Sequence, residues 1–399
     1  MKITRVRATP AAIPLKEPLL HSWGTHFGFG RLVVEVETDE GITGLGECSL
    51  WPNRGMEAVM EQAGRAALGE DPFHLERLKA KVAVPFYLRM FGPGPTTAYA
   101  ALEFACLDIQ GKAIGRPVSD LLGGRLRDAV PFSAYCFYPA GRDTWAGASE
   151  DFVNDVARYI GDGGFTSIKF KCGVFEPDRE VDTFAQLRQR FPQLPIRMDP
   201  NSIWSMSTAV RVARRLRPLD PEYLEDPVWG IAGMSKVKKM VPDMPLASNM
   251  AVFGFEDVGP GALLDAVDVV LSDPHWYGGL RAVKELGRVC ETFGLDLGMH
   301  SGTEFGISMA AMVHVSSTLS MLSHHPDSHY HYLADDVITE PFRFEGGKVK
   351  VPSKPGLGVE LDRDKLAQAH ELYQSVMGGT GEITADQILP VEPALKPRY

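Results

Sequence analysis

The sequence predicts an α/β fold, a TIM-type βα barrel flanked by an α+β region, and three observations carry that prediction. Between Thr166 and Gly302 six short apolar runs each end in a polar signature: Ile-Lys169-Phe-Lys171, Met-Asp199-Pro-Asn201, Leu-Glu225-Asp226-Pro, Ser-Asn249-Met, Ser-Asp273-Pro-His275 and Met-His300-Ser301. The steps between Asp199, Glu225, Asn249, Asp273 and His300 are 26, 24, 24 and 27 residues, the length of one strand, one helix and two short loops. A polar residue closing every strand of a repeating βα array is the layout of a barrel active site.

In chain order, residues 2–13 and 31–38 read as β-strands, rich in Val and Ile with alternation, and Asp39-Glu-Gly41 turns the chain into a return strand at 42–47. The stretch between the first two, 21–30, is dense in Gly and aromatics and is expected to be a loop, of a kind that often covers ligand and can equally be a packed surface flap. Helical periodicity follows at 55–68, 72–84 and 96–115, the last with Ala101, Leu102, Phe104, Ala105, Leu107 and Ile109 as its apolar set. Residues 1–128 are therefore expected to form one unit. The barrel, expected over 129–335, starts at Val130-Pro-Phe-Ser-Ala-Tyr135, with helices at 150–160, 178–191, 206–216, 231–241, 256–266, 279–293 and 304–319. After His329-Tyr-His331 the alternation stops. The remainder, 336–399, reads as a tail with a hairpin turning at Gly346-Gly347, expected to return to the first unit.

Length and composition narrow the function classes. A chain of 399 residues is long for one core, so two domains are expected. A formal net charge of −10 argues against nucleic acid or an anionic membrane as partner. The first residues lack the apolar core of a signal peptide, and no apolar run approaches spanning length, so a cytoplasmic location is expected. Five scattered cysteines with no Cys-x-x-Cys pair read as reduced thiols.

Asp199, Glu225 and Asn249 would place three oxygen donors at consecutive strand ends, a set suited to Mg²⁺; the lack of His or Cys among them disfavours zinc. Polar residues at strand ends can also simply cap the next helix, but three in register favour the metal. Lys169 and Lys171, two apart on a strand, share a face. Crowding of two ammonium groups is expected to lower a pKa towards a range where lysine acts as a base. His300 follows a strand whose predecessor ends at Asp273, and an Asp beside a His fixes its tautomer and raises its basicity. His275 is the competing imidazole. Of Glu225 and Asp226 only one can be a ligand, and Asp226, before Pro227, is expected to fix the turn.

Together these motifs, with the tail Thr339-Glu-Pro-Phe-Arg-Phe-Glu-Gly-Gly-Lys-Val-Lys-Val, resemble the enolase superfamily and within it the glucarate dehydratase subgroup. The resemblance implies a modified (β/α)₇β barrel under an α+β capping domain built from the N-terminal segment and the C-terminal tail. It implies Mg²⁺ on Asp199, Glu225 and Asn249, Lys171 as one base, and His300 oriented by Asp273 as acid/base on the opposite face. Lys169 would stabilise an enediolate, with Asn201 beside the reacting carboxylate. Further substrate contacts would fall on His26, Tyr135, Phe137, Ser301, His329 and Arg398, and the family implies a homo-oligomer. The chain departs from the subgroup at His21, where Asn is expected, and at Ser-Gly-Thr-Glu304 after His300, which replaces Asn-Asn-His and brings in a carboxylate.

The activity so implied is dehydration of an acid sugar, a diacid such as D-glucarate first, to a 2-keto-3-deoxy acid. A racemase or epimerase would use the same Lys171 and His300, and a non-catalytic sugar-acid binder would need neither.

Overall fold

The structure, a computed structural model, describes residues 1–50, 55–83, 93–142, 144–377 and 391–393. Arg398, expected in the site, lies outside them. Among the described residues no helix is long and apolar enough to cross a membrane.

The N-terminal unit is an antiparallel sheet backed by helices. Strand β1 (Ile3–His21) pairs with β2 (Gly24–Thr38), which pairs with β3 (Thr43–Ser49). Helices α1 (Gly55–Ala67), α2 (Leu75–Val82) and α3 (Gly94–Ile114) follow, then a single turn, α4 (Val118–Leu121). α3 is Ala-rich and stops at Gly115, which takes the left-handed conformation (φ 69°) that glycine adopts without steric cost. It lies against β3 so closely that a Cβ added to Gly44 or Gly46 would sit 2.0 Å from the carbonyl oxygens of Ala105 and Ala101. Gly46→Ala is therefore expected to destabilise the protein by about 3 kcal/mol. Thermal unfolding checks this, with Gly161→Ala, where the added carbon meets nothing within 4 Å, as the unaffected control.

The segment 21–30 corrects an expectation. It is a strand hairpin and not a loop: Leu19, Leu20 and His21 pair with His26, Thr25 and Gly24, leaving Ser22 and Trp23 as the turn. Gly28 permits the pairing, since a side chain there would press within 2.9 Å of the Ile13 carbonyl oxygen. The consequence is functional: His21 and His26 are fixed on paired backbone.

After β4 (Ala129–Pro131) the barrel begins at β5 (Ala134–Cys136), and β6 (Tyr138–Pro139) leaves it to extend the N-terminal sheet beside β1. The order is then α5 (Trp145–Gly161), β7 (Ile168–Lys171), α6 (Pro177–Arg190), β8 (Ile196–Asp199), α7 (Met206–Leu216), β9 (Leu224–Glu225), α8 (Gly230–Met240), β10 (Leu246–Ser248), α9 (Phe255–Leu263), β11 (Val269–Ser272), α10 (Leu280–Phe293), β12 (Asp296–Met299) and α11 (Gly306–Thr318). Seven strands, β5 and β7 to β12, form one parallel sheet in sequence order. Their near-continuous burial explains the unalternating apolar runs. Helix starts carry side-chain caps: Thr144, Glu176 and Ser205 accept from the backbone N–H three residues on. The irregular segment 322–327 closes the ring. On one side Ser323 N–H and Asp327 N–H donate to the carbonyls of Leu297 and Met299; on the other, Ser133 N–H donates to the carbonyl of Pro326.

The tail divides. Its hairpin turns at Gly346 and Gly347, both at positive φ, as expected, but its second arm, β13 (Lys348–Lys350), pairs with β4 and not with the N-terminal sheet. Among the described residues of the tail, α12 (Arg363–Met377), packed on β1, and β14 (Val391–Pro393), paired with β2 at His26, reach that sheet.

Candidate active site

The C-terminal ends of the parallel strands gather Lys169 and Lys171 on β7, Asp199 on β8, Glu225 on β9, Asn249 after β10, Asp273 after β11 and His300 after β12. All but His300 are buried, and His300 keeps 17% of its side chain exposed. Asp199 and Glu225 lie within reach of one another through Lys169, which pairs with Glu225 and stands 3.2 Å from Asp199 Oδ2. Lys171 pairs with Asp199 and lies over the Tyr135 ring, 5.9 Å from its centroid.

The arrangement fits a hard cation. Glu225 Oε1 and Asn249 Oδ1 are buried with no hydrogen-bond partner, a cost that a group at this site would remove. The donor set is two carboxylates and an amide oxygen, oxygen only, as Mg²⁺ prefers. Asp226 builds the geometry: at φ 37° it turns its carboxylate to accept from Ser248 Oγ (2.5 Å) and from the N–H groups of Asn249 (3.0 Å) and Met250 (3.1 Å). It thus anchors the backbone that presents Asn249, on the neighbouring strand end and not in its own turn. Asn201, also at positive φ (53°), donates its N–H to Asp199 Oδ1 at 2.8 Å, and its own Oδ1 is buried without a partner.

The charge state of the lysines corrects the sequence expectation. Burial disfavours both ammonium groups, but for Lys169 the carboxylates of Asp327, Glu225 and Asp199, and for Lys171 that of Asp199, outweigh it and hold both pKa values above the ordinary lysine value. Mutual crowding is the lesser effect because acids from neighbouring strands share out the two charges. Asp327 was not anticipated. It stands 3.2 Å from Lys169 Nζ, pairs with Arg197 at 2.8 Å and accepts from Ser133 Oγ at 2.5 Å, so it tethers Lys169 from behind. The only signal for it, a Pro-Asp-Ser-His run after the last barrel helix, carries no strand pattern.

On the other side Asp273 serves two imidazoles, Oδ2 at 3.0 Å from His300 Nδ1 and Oδ1 at 3.1 Å from His275 Nδ1. Burial raises its pKa, yet these hydrogen bonds outweigh burial and keep Asp273 well below the usual carboxylate range. His275 is committed elsewhere: its Nε2 lies 3.1 Å from Arg31 and 3.0 Å from Ser308 Oγ. His300 is held on Asp273 through Nδ1, with Nε2 outside that hydrogen bond. Its ring stacks on Trp276 at 4.5 Å, and Trp276 stacks in turn on Phe253, a brace that sequence reading missed.

The wall of the pocket is aromatic. Tyr135, Phe137, His21, His26 and His329 lie ring to ring, with Tyr135 4.6 Å and Phe137 5.4 Å from His329, and His21 4.4 Å from His26. Burial depresses the pKa of His329 well below normal, and Lys171 and His300 add to the effect. His26 is likewise held neutral, its pKa lowered to about 4 by burial and then by Lys171. Ser301 is bound between His329 and Glu304.

Comparison with known proteins agrees with this geometry. Residues 3–123 match the mandelate racemase/muconate lactonizing enzyme N-terminal domain and residues 151–365 the enolase C-terminal domain-like family. A curated relative from Streptomyces coelicolor, named "probable glucarate dehydratase", is 42% identical over 94% of this chain and 92% of its own length. Among solved structures, an enolase from Pseudomonas fluorescens with bound magnesium, potassium and tartrate is 36% identical with a TM-score of 0.84, covering 94% of this chain and 93% of that one. An isomerase from Streptomyces coelicolor is 39% identical with a TM-score of 0.84, over 94% and 98%. The paired domain matches, spanning the sheet that covers the barrel and the barrel that carries the acids, establish that this chain belongs to the enolase superfamily.

Proposed function

We propose that the protein is a Mg²⁺-dependent dehydratase of an acid sugar, of the D-glucarate/L-idarate type, giving a 2-keto-3-deoxy sugar acid and water. The observation that carries the reading is the joint presence, at one barrel mouth, of a lysine and a histidine each held by a buried acid, Lys171 by Asp199 and His300 by Asp273, beside the unpartnered Glu225 Oε1 and Asn249 Oδ1. The 42% identical relative named a probable glucarate dehydratase supports the substrate class, and the relative with magnesium and tartrate, a hydroxy diacid, supports the metal.

Asp199, Glu225 and Asn249 would hold Mg²⁺, which when bound supplies positive charge opposite the substrate carboxylate and takes over the acids that here pair with the lysines. Lys169 and Asn201 bind that carboxylate, and Lys169 stays charged to balance the negative charge that develops there. Lys171 Nζ removes the proton from the carbon next to the carboxylate. His300 Nε2, protonated, gives its proton to the hydroxyl leaving the next carbon, so that the C–O bond breaks with loss of water. The resulting enol becomes the 2-keto group when its 3-carbon is reprotonated. Tyr135 and Phe137 exclude bulk water from the reacting face. Lysine or histidine bases with Mg²⁺ are general to sites of this superfamily.

The test is a panel of mono- and diacid sugars incubated with and without Mg²⁺, reading 2-keto-3-deoxy product. Turnover of D-glucarate or its C5 epimer that disappears with a chelator is the expected result. The solved isomerase at 39% identity favours a second reading, epimerisation by the same two groups. Epimer or deuterium-exchanged substrate with no keto product would select it.

A further inference from the structure

Behind the pocket a buried chain runs from Glu304 through Ser301 to His329. Ser301 Oγ lies 3.0 Å from Glu304 Oε2, 2.6 Å from His329 Nδ1 and 3.0 Å from the His329 N–H. Thr303, at φ 67°, folds the loop back so that Glu304 reaches the side chain three residues before it. All three side chains are buried: Ser301 2%, His329 3% and Glu304 0% exposed.

Counting donors fixes the protons. A hydroxyl has one hydrogen and two acceptor positions. The His329 N–H fills one acceptor position of Ser301. An ionised carboxylate can only accept, so with Glu304 ionised the Ser301 hydrogen goes to it, as does that of Ser328 Oγ at 3.2 Å. The remaining position of Ser301 must then accept from His329 Nδ1–H. His329 is held neutral in this apolar, cation-bearing surrounding, so its Nε2 carries a lone pair. That atom is buried with no protein partner, as are both ring nitrogens of His21, whose ring lies parallel to it at 6.1 Å.

We infer that Glu304 is a positioning residue which, through Ser301, locks His329 as the Nδ1–H tautomer, so that Nε2 accepts a hydrogen bond from a hydroxyl of a polyhydroxy acid. The chain selects for a substrate that presents an O–H donor at that place, and against one with an ether or carbonyl oxygen there, because a buried acceptor left without a donor is costly. Without the Glu304 carboxylate, Ser301 is free to donate to Nδ1, and Nε2 becomes an N–H donor facing the same atom. The assignment of substrate class rests on the function proposed above; the tautomer does not.

The test combines nitrogen NMR of histidine-labelled protein with steady-state kinetics, at a pH well above neutral, where Glu304, which burial pushes up to about 7, is ionised. The His329 signals are assigned by their loss in His329→Asn. Wild type is expected to show protonated Nδ1 and unprotonated Nε2. Glu304→Leu, which removes the acceptor at similar size, is expected to reverse them, and Glu304→Gln, which keeps an acceptor oxygen, to retain the wild-type pattern. KM for the acid sugar should rise about tenfold in Glu304→Leu, with a smaller change in kcat, and the rise should vanish for the deoxy analogue lacking the contacted hydroxyl. An Nε2–H tautomer in wild type, an unchanged tautomer in Glu304→Leu, or a reversed tautomer with unchanged KM would each overturn the inference. If no acid sugar is turned over, the proposed substrate class fails while the tautomer result still decides the Glu304 assignment.

Discussion

Lys171→Ala is expected to lose turnover by about 10³-fold or more and to lose exchange of the α-hydrogen with solvent deuterium to the same extent. The reason is geometric. Lys171 Nζ sits between Asp199 and the face of Tyr135, and none of the neighbouring imidazoles can substitute for it: burial and the charged groups around them lower the pKa values of His21, His26 and His329, which makes all three weak bases. Lys169, though two residues away on the same face, is tied to Glu225 and Asp327 and is placed for charge, not for proton removal. The measurement is α-proton exchange in D₂O followed by proton NMR, alongside product formation. Exchange that persists at the wild-type rate in Lys171→Ala would show that another group takes this proton. Affinity for Mg²⁺, by contrast, is expected to rise or hold, because removing the ammonium frees Asp199.

How far the sequence reaches into this site depends on what each residue's chemistry can be read from. Asp199, Glu225, Asn249, Asp273 and His300 were legible because strand burial gives unbroken apolar runs, and the polar residue that ends each run recurs at the βα spacing. The closing eighth segment was not, since 322–327 carries Ser, His and Pro in place of an apolar run, and so Asp327 stayed hidden. The hairpin holding His21 and His26 was misread as a loop because its Gly and aromatic residues lack alternation, and its register depends on β1 beside it. The lysine charge states were misread for a related reason: a strand's own sequence shows two ammonium groups, whereas the three acids that decide their ionisation come from β8, β9 and the closing segment. Glu304 was visible as an unexpected carboxylate. Its connection to His329 needed the fold of the loop at Thr303.

His300→Asn separates the two halves of the proposed reaction. Asparagine keeps a similar shape against Trp276 and can still hydrogen-bond to Asp273, but it cannot give up a proton to a departing hydroxyl. Formation of the 2-keto-3-deoxy acid is therefore expected to fall by about 10²- to 10⁴-fold. Lys171 remains in place on the opposite wall, so exchange of the α-hydrogen with D₂O is expected to continue. The variant would then wash deuterium into unreacted substrate with retention of configuration, because the proton returns from the same side it left. An epimerase with the same residues would lose inversion in this variant, but its wild type would yield no keto product at any time. Keto product in wild type, with retained exchange and lost elimination in His300→Asn, thus assigns His300 to the leaving hydroxyl. Loss of exchange together with elimination would instead place His300 at the α-proton and reverse the roles given to the two walls of the pocket.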